Sequence, residues 1–289
     1  MTKALTFAVL GGGNLGSAIA AGLLGPIKST ERISVKHLYV TVATETSQRR
    51  VQKELGEDSS CLTVLLAKDN LYAIQEADVV ILAFKPVKRE EVFAASGIRE
   101  GLQNKLIISI MAGITIKEIN RLVLDTTEHN ISIQAVRAMP NMAAKIREAV
   151  TLYAADQETL SETNQDIAHW VFSQVGDAQL TSEGTFEISA VLVGCAGSLL
   201  LLAVDGLLDA AVAEGVKRTE ATKMVVNSAI GMLKLVPAGE HPSVLREKIA
   251  SPGGCSIRAL LELEKLGVRS AFTSAILAAA ERSKGVSNK

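Results

Sequence analysis

The way the first apolar run ends narrows the folds open to this chain more than any other stretch. Leu5–Leu10 leads directly into Gly11-Gly12-Gly13-Asn14-Leu15-Gly16, a match to G-x-G-x-x-G set between a strand-like run and a helix-like one. Each glycine of the motif has a physical reason to be there. Gly11 permits the tight turn, Gly13 lets backbone approach a pyrophosphate, and Gly16 lets helix and strand pack closely. The N–H groups that open the following helix, aided by its dipole, suit phosphate. The turn therefore predicts a dinucleotide site at the end of a first βα unit.

The rest of the first half repeats that unit. Leu5–Leu10, His37–Val42, Leu62–Leu66, Asp78–Phe84, Lys105–Met111 and Ser132–Ala138 read as strands, several of them nearly continuous aliphatic runs. Such runs are expected where helices cover both faces of a parallel sheet. Leu15–Leu24, Ser47–Leu55, Val87–Ala95 and Ile116–Leu124 read as the intervening helices. Alternation of this kind predicts an α/β, doubly wound sheet.

After a last strand-like run, Asp177–Thr181, the texture changes to Ala/Leu-rich helical stretches: Glu187–Glu214, Glu220–Val236, Val244–Ile249, Ser256–Leu266 and Ala271–Lys284. The expected division is residues 1–181, a dinucleotide-binding sheet domain, and residues 182–289, all helical.

Two features bear on compartment and partners. Ile188–Val204 carries no charge, yet it has only 17 residues, several of them small, and no flanking basic cluster; this suits a buried helix of a soluble protein better than a membrane span. The N-terminal apolar run is too short for a signal peptide. The three cysteines, Cys61, Cys195 and Cys255, form no Cys-x-x-Cys pair, and His37, His129, His169 and His241 are scattered, so the expectation is a cytoplasmic protein with no metal site. With 30 Lys+Arg against 31 Asp+Glu, and only six Phe, three Tyr and one Trp, neither nucleic acid nor an anionic membrane is an expected partner.

The cofactor's identity turns on the end of the second strand, Ala43-Thr44-Glu45-Thr46-Ser47-Gln48-Arg49-Arg50. A carboxylate there would accept from a ribose 2′-OH, whereas hydroxyls and arginines suit a 2′-phosphate. Thr44 and the neighbouring hydroxyls, with both Arg49 and Arg50, favour NADPH; Glu45 argues for NADH, and an exposed helix face is the plain alternative for the two arginines. Ala83-Phe84-Lys85-Pro86, Met111-Ala112-Gly113 and Arg137-Ala138-Met139-Pro140-Asn141 are further strand ends directed at the same crevice.

With Phe84-Lys85-Pro86, Ser109–Thr115, Arg137–Asn141, Gly239-Glu240-His241-Pro242 and Ser251-Pro252-Gly253-Gly254-Cys255-Ser256 in that order, the chain resembles pyrroline-5-carboxylate reductase over essentially its whole length. The resemblance implies an N-terminal Rossmann-type sheet plus an all-α C-terminal dimerisation domain. It also implies reduction of a cyclic imine carboxylate by NAD(P)H and a homodimer through the C-terminal helices, or a larger ring. By motif it assigns to the cofactor Gly11, Gly13, Asn14, Leu15, Gly16, Asn70, Ala83, Lys85, Pro86, Ala112 and Gly113, joining Thr44 and Arg49. It assigns to the substrate Ser251, Gly253, Gly254, Cys255 and Ser256, with Glu240 close to the nicotinamide.

The substrate loop also has a physical reading. A glycine loop before a helix offers unpaired N–H groups to a carboxylate. The Ser256 hydroxyl can protonate or orient the imine nitrogen, or simply cap the helix. Departures from the family pattern cluster at Met142–Arg147, with Lys145 and Arg147 at positions usually apolar or small. They also occur at Gly194-Cys195-Ala196-Gly197-Ser198-Leu199, which lacks the usual proline and aromatic, and at Cys255-Ser256, where threonine is usual. The expected substrate is 1-pyrroline-5-carboxylate; the alternatives are another cyclic imine or a non-catalytic NADPH-binding homologue.

Overall fold

The structure, a computed structural model, describes residues 3–25, 32–56, 59–124, 133–156 and 158–287, with side chains described as far as Ser283. Ser132, the expected start of the sixth strand, and His129 lie outside the described residues.

Strand β1 (Lys3–Leu10) shows why an unbroken apolar run makes a central strand. Phe7 and Val9 point to one face, Ala8 and Leu10 to the other, and all four are buried. On the first face they meet Ile19 of α1 (Asn14–Leu23), Val51 of α2 (Glu45–Leu55) and Phe172 of α7 (Glu162–Ser173). On the second they meet Ile74 of α3 (Asn70–Glu76), Phe93 of α4 (Arg89–Ala94), Leu102 of α5 (Ile98–Leu102) and Ile119 of α6 (Ile116–Leu124). Each large side chain fully buried this way contributes about 1.5–3 kcal/mol.

The remaining strands are β2 (Ile33–Val42), β3 (Leu62–Leu66), β4 (Val79–Leu82), β5 (Leu106–Ser109), β6 (Gln134–Pro140), β7 (Ala149–Ala155) and β8 (Gly176–Leu180). They form one sheet in the order β3-β2-β1-β4-β5-β6-β7-β8. Neighbours are parallel except β6 and β7. The strand order reverses at β1/β4, and a doubly wound sheet opens its ligand crevice beyond the carboxyl ends at such a point.

β4 and β5 are shorter than expected, because their ladder ends at the Leu82–Ser109 pair and the chain then turns into crevice loops. The expected helix Val87–Ala95 splits into a 3-10 turn, Pro86–Lys88, and α4. β7 and α7 are not anticipated by the sequence pattern. Alanine disfavours strands, so pairing with β6 and β8 decides β7. For α7 the signal in the sequence is Ser161, whose hydroxyl accepts the Asn164 N–H as an N-cap.

Beyond the sheet run α8 (Glu183–Ala213), α9 (Arg218–Lys234), α10 (Pro242–Ile249), α11 (Cys255–Lys265) and α12 (Val268–Ser287). The chain divides into two compact units, Met1–Gly194 with Arg282–Lys289, and Cys195–Glu281. In the second unit Ala221 and Leu245 are buried, while Leu200, Leu201, Leu207, Met224 and Leu233 are exposed, and Leu202 is 72% exposed. Ile188–Val204, expected as a buried helix, is thus largely exposed within a single chain. Among the described residues α8 is the one helix long and apolar enough to cross a membrane, and within a single chain only Phe186, Ala190 and Val191 of it are buried.

Candidate active site

The glycine turn is fixed by close contacts. Gly11 has φ +113°, and a Cβ there would sit 2.7 Å from the Phe84 nitrogen; at Gly16 it would sit 2.1 Å from the Gly11 oxygen. Gly12, a variable position of the motif, is also constrained, since its Cβ would meet Val42 at 2.7 Å and Val40 at 3.0 Å. Gly13 is different: nothing lies within 4 Å of its missing side chain. Backbone at Gly13 is thus open to a ligand, as the expected pyrophosphate contact requires. Asn14 and Leu15 open α1 beside it.

The other expected cofactor residues fall on adjacent strand ends. Ala83 follows β4 and donates its N–H to Leu10 at 2.9 Å, so it abuts the turn. Lys85, exposed, caps the 3-10 turn that Pro86 begins. Ala112 and Gly113 (φ +76°) form the turn after β5. Asn70 is the first residue of α3, and its Oδ1 is buried without a hydrogen-bond partner. A buried acceptor left unpaired costs about 1–3 kcal/mol, so this oxygen fits a ligand hydroxyl. The open Gly13 backbone and the unpaired Asn70 oxygen together fit a dinucleotide.

At the end of β2, Thr44 is the N-cap of α2: its hydroxyl accepts the Ser47 N–H at 3.2 Å and donates to Ser47 Oγ at 3.0 Å. The Arg49 side chain is 83% exposed, with Glu45 4.0 Å away. Arg50 turns inward instead, donating to the Gly12 carbonyl at 2.6 Å and to Glu54 at 2.7 Å. With Asn14, Ser17 and Lys145 it lines a cleft of about 190 Å³.

Two readings of the strand ends change. Arg137 does not reach the crevice. It is 3% exposed, pairs with Glu183 at 3.1 Å and Glu187 at 2.6 Å, and lies 3.9 Å over the Phe186 ring. Glu187 also accepts from Ser283 at 2.8 Å. Glu183 and Glu187 are four residues apart, hence on one face of α8, and that spacing is the signal available in the sequence. Lys145 and Arg147, expected to alter the substrate pocket, lie instead against α1. Arg147 is left-handed (φ +59°), and its guanidinium donates to the Ala21 carbonyl at 3.1 Å.

The expected substrate residues form a second group in the helical unit. Glu240 follows Gly239 (φ +106°), and Lys248 grips both its carboxylate oxygens, at 2.7 and 2.8 Å. Between Ser251 and Ser256 the chain turns through Pro252 and Gly253 (φ +72°), closed by the Gly254 N–H donating to the Ser251 carbonyl at 3.0 Å. Gly254, not Ser256, is the N-cap of α11, and no side chain occupies the cap. Cys255 and Ser256 are the first two residues of the helix, both exposed. The N–H groups of this first turn are left to a ligand, as an anion requires.

Known proteins carry both parts. The family profile described as pyrroline-5-carboxylate reductase dimerisation matches residues 183–286, and that described as NADP oxidoreductase coenzyme F420-dependent matches residues 6–113. The chain is 32% identical to a pyrroline-5-carboxylate reductase of Lophium arboricola, over 98% of this chain and 94% of the relative. The solved pyrroline-5-carboxylate reductase of Coxiella burnetii superposes with a TM-score of 0.77 at 27% identity, covering 97% of each chain. Plasmodium falciparum pyrroline carboxylate reductase, solved with NADP bound, shares the fold with a TM-score of 0.79 at 24% identity, over 99% of this chain and 100% of that one. The chain belongs to the pyrroline-5-carboxylate reductase family, as an NAD(P)H-dependent oxidoreductase whose C-terminal helices are that family's dimerisation domain.

Proposed function

We propose that this chain reduces 1-pyrroline-5-carboxylate to L-proline in proline biosynthesis, using NADPH in preference to NADH. The observation that carries this reading is the retained Ser251-Pro252-Gly253-Gly254 loop, which leaves the first turn of α11 without a side-chain cap. The bound nicotinamide would supply a hydride to the imine carbon.

The chain's own residues do the rest. Ser251, Gly253, Gly254, Cys255 and Ser256 hold the substrate carboxylate with loop and helix N–H groups. This fixes the ring, and such positioning contributes on the order of several kcal/mol. The imine nitrogen takes up a proton as its carbon accepts the hydride, so the C=N double bond becomes a secondary amine. The Ser256 hydroxyl delivers that proton or orients the nitrogen, directly or through water, while Lys248 holds Glu240 in place beside them. Gly11, Gly13, Asn14, Leu15, Gly16, Asn70, Ala83, Lys85, Pro86, Ala112 and Gly113 line the cofactor, with Thr44 and Arg49 toward the 2′-phosphate. Residues 1–181 thus serve the dinucleotide, and residues 182–289 serve substrate and dimerisation. Two copies cover one another's apolar helices as a homodimer, alone or within a larger ring. The three free cysteines suit the cytoplasm.

The test is oxidation of NADPH with 1-pyrroline-5-carboxylate and with a panel of other cyclic imines. Turnover of 1-pyrroline-5-carboxylate is expected. Turnover confined to other imines would transfer the reading to one of them, which the lost proline and aromatic near Gly194 and the Cys255-Ser256 pair favour. Tight NADPH binding without turnover of any imine would leave a non-catalytic homologue. Ser256→Ala should lower kcat at least about tenfold, and a wild-type kcat would remove Ser256 from the mechanism.

A further inference from the structure

The glycine turn contains a side-chain contact that the dinucleotide motif does not require. Gly12 presents its carbonyl to two donors, the Arg50 guanidinium at 2.6 Å and the Ser17 hydroxyl at 3.1 Å. Arg50 is held from its other side by Glu54. The Gly11 and Gly12 N–H groups both go to the Thr41 carbonyl, at 3.1 and 2.8 Å, so they are spent on β2.

The Gly12–Gly13 peptide is trans, as are all those described. A planar trans peptide directs its N–H opposite to its C=O. Fixing the Gly12 carbonyl toward Arg50 and Ser17 therefore directs the Gly13 N–H the other way, at the one glycine of the turn whose side-chain space is open.

We propose that Arg50 is a positioning residue for the dinucleotide diphosphate: clamped on the Gly12 carbonyl, it holds the Gly12–Gly13 peptide so that the Gly13 N–H faces the diphosphate. This rests on the reading that the glycine turn takes NAD(P)H. The two neighbouring arginines then have different roles. Arg50 acts on a group that NADPH and NADH share, so it sets affinity for both; Arg49, exposed on α2, is left to discriminate the 2′-phosphate.

Calorimetric titration of the full chain with NADPH, NADH and adenosine 2′-monophosphate tests this. Arg50→Met should raise Kd for NADPH and NADH by the same factor, about tenfold for loss of one charge-assisted hydrogen bond. It should leave adenosine 2′-monophosphate, which has no diphosphate, bound as by wild type. Arg50→Lys, still able to donate, should recover part of the loss, and Arg49→Met should weaken NADPH alone. Unchanged nucleotide affinity in Arg50→Met, a loss confined to NADPH, or an equal loss of adenosine 2′-monophosphate would each overturn the assignment. A wild-type chain that binds neither dinucleotide would instead overturn the cofactor reading on which it rests.

Discussion

The sheet unit and the helical unit are built from the same aliphatic residues and treat them oppositely. In the first, Phe7, Ile19, Ile81 and Phe172 are sealed between sheet and helices. Even the charged Arg137 is enclosed, paired with carboxylates that keep contact with solvent. In the second, five helices form, yet leucines such as Leu201 and Leu202 lie exposed along α8. A helix satisfies its own backbone wherever it forms, whereas a parallel strand needs its neighbours and a cover on both faces. Within one chain the sheet unit buries its apolar residues, whereas the helical unit leaves exposed an apolar face of the kind a dimerisation domain presents.

Breaking the seal of the sheet unit should have the largest effect. Arg137→Met removes a buried cation and its hydrogen bonds to the exposed Glu183 and the partly buried Glu187, and should cost about 3 kcal/mol in urea unfolding. A cost under about 1 kcal/mol would mean that this interior is less closed than its contacts indicate. Next in size, Leu201→Asp with Leu202→Asp should leave the chain folded but shift sedimentation toward monomer, each change costing about 2 kcal/mol of association. A wild-type chain that sediments as a stable folded monomer would break the comparison outright.

The smallest effect belongs to surface charge on the sheet unit. The hydrogen bond from Arg121 holds the Glu118 carboxyl below its ordinary range against the opposing effect of partial burial, and the charges of Arg121 and Arg89 add to the lowering. A carboxyl whose folded pKa is depressed stabilises the fold above its unfolded pKa and loses that contribution as pH falls through the folded value. Glu118→Gln should therefore cost roughly 0.2–1 kcal/mol near neutral pH, with the two urea midpoints converging in acid. A gap that persists in acid would assign the effect to something other than charge.

Legibility differs in kind across the molecule. The glycine turn, β1, β3 and α6 can be read directly, since a tight turn, a two-faced apolar run and an amphipathic period each leave a local mark. The substrate loop is legible as a motif, but its cap is not: Gly254 rather than Ser256 is the N-cap of α11, a difference of backbone geometry that no residue type announces. Arg50 reads beside Arg49 as one basic pair, because chain neighbours on a helix point about 100° apart and only packing decides what each meets. Lys145 and Arg147 belong to a substrate pocket by their place in a motif, while the 3-10 turn carries them to α1.

The doubly wound alternation, the phosphate-type turn and the helical C-terminal region are written in residue order alone, because they follow from periodicity and from glycine's steric freedom. Which charges are used internally depends on the folded arrangement. Arg137 closes on Glu183 and Glu187 across 46 and 50 residues, and Arg50 on Gly12 across 38. Contacts over such separations depend on where the strands lie in the sheet, and no local pattern encodes that order.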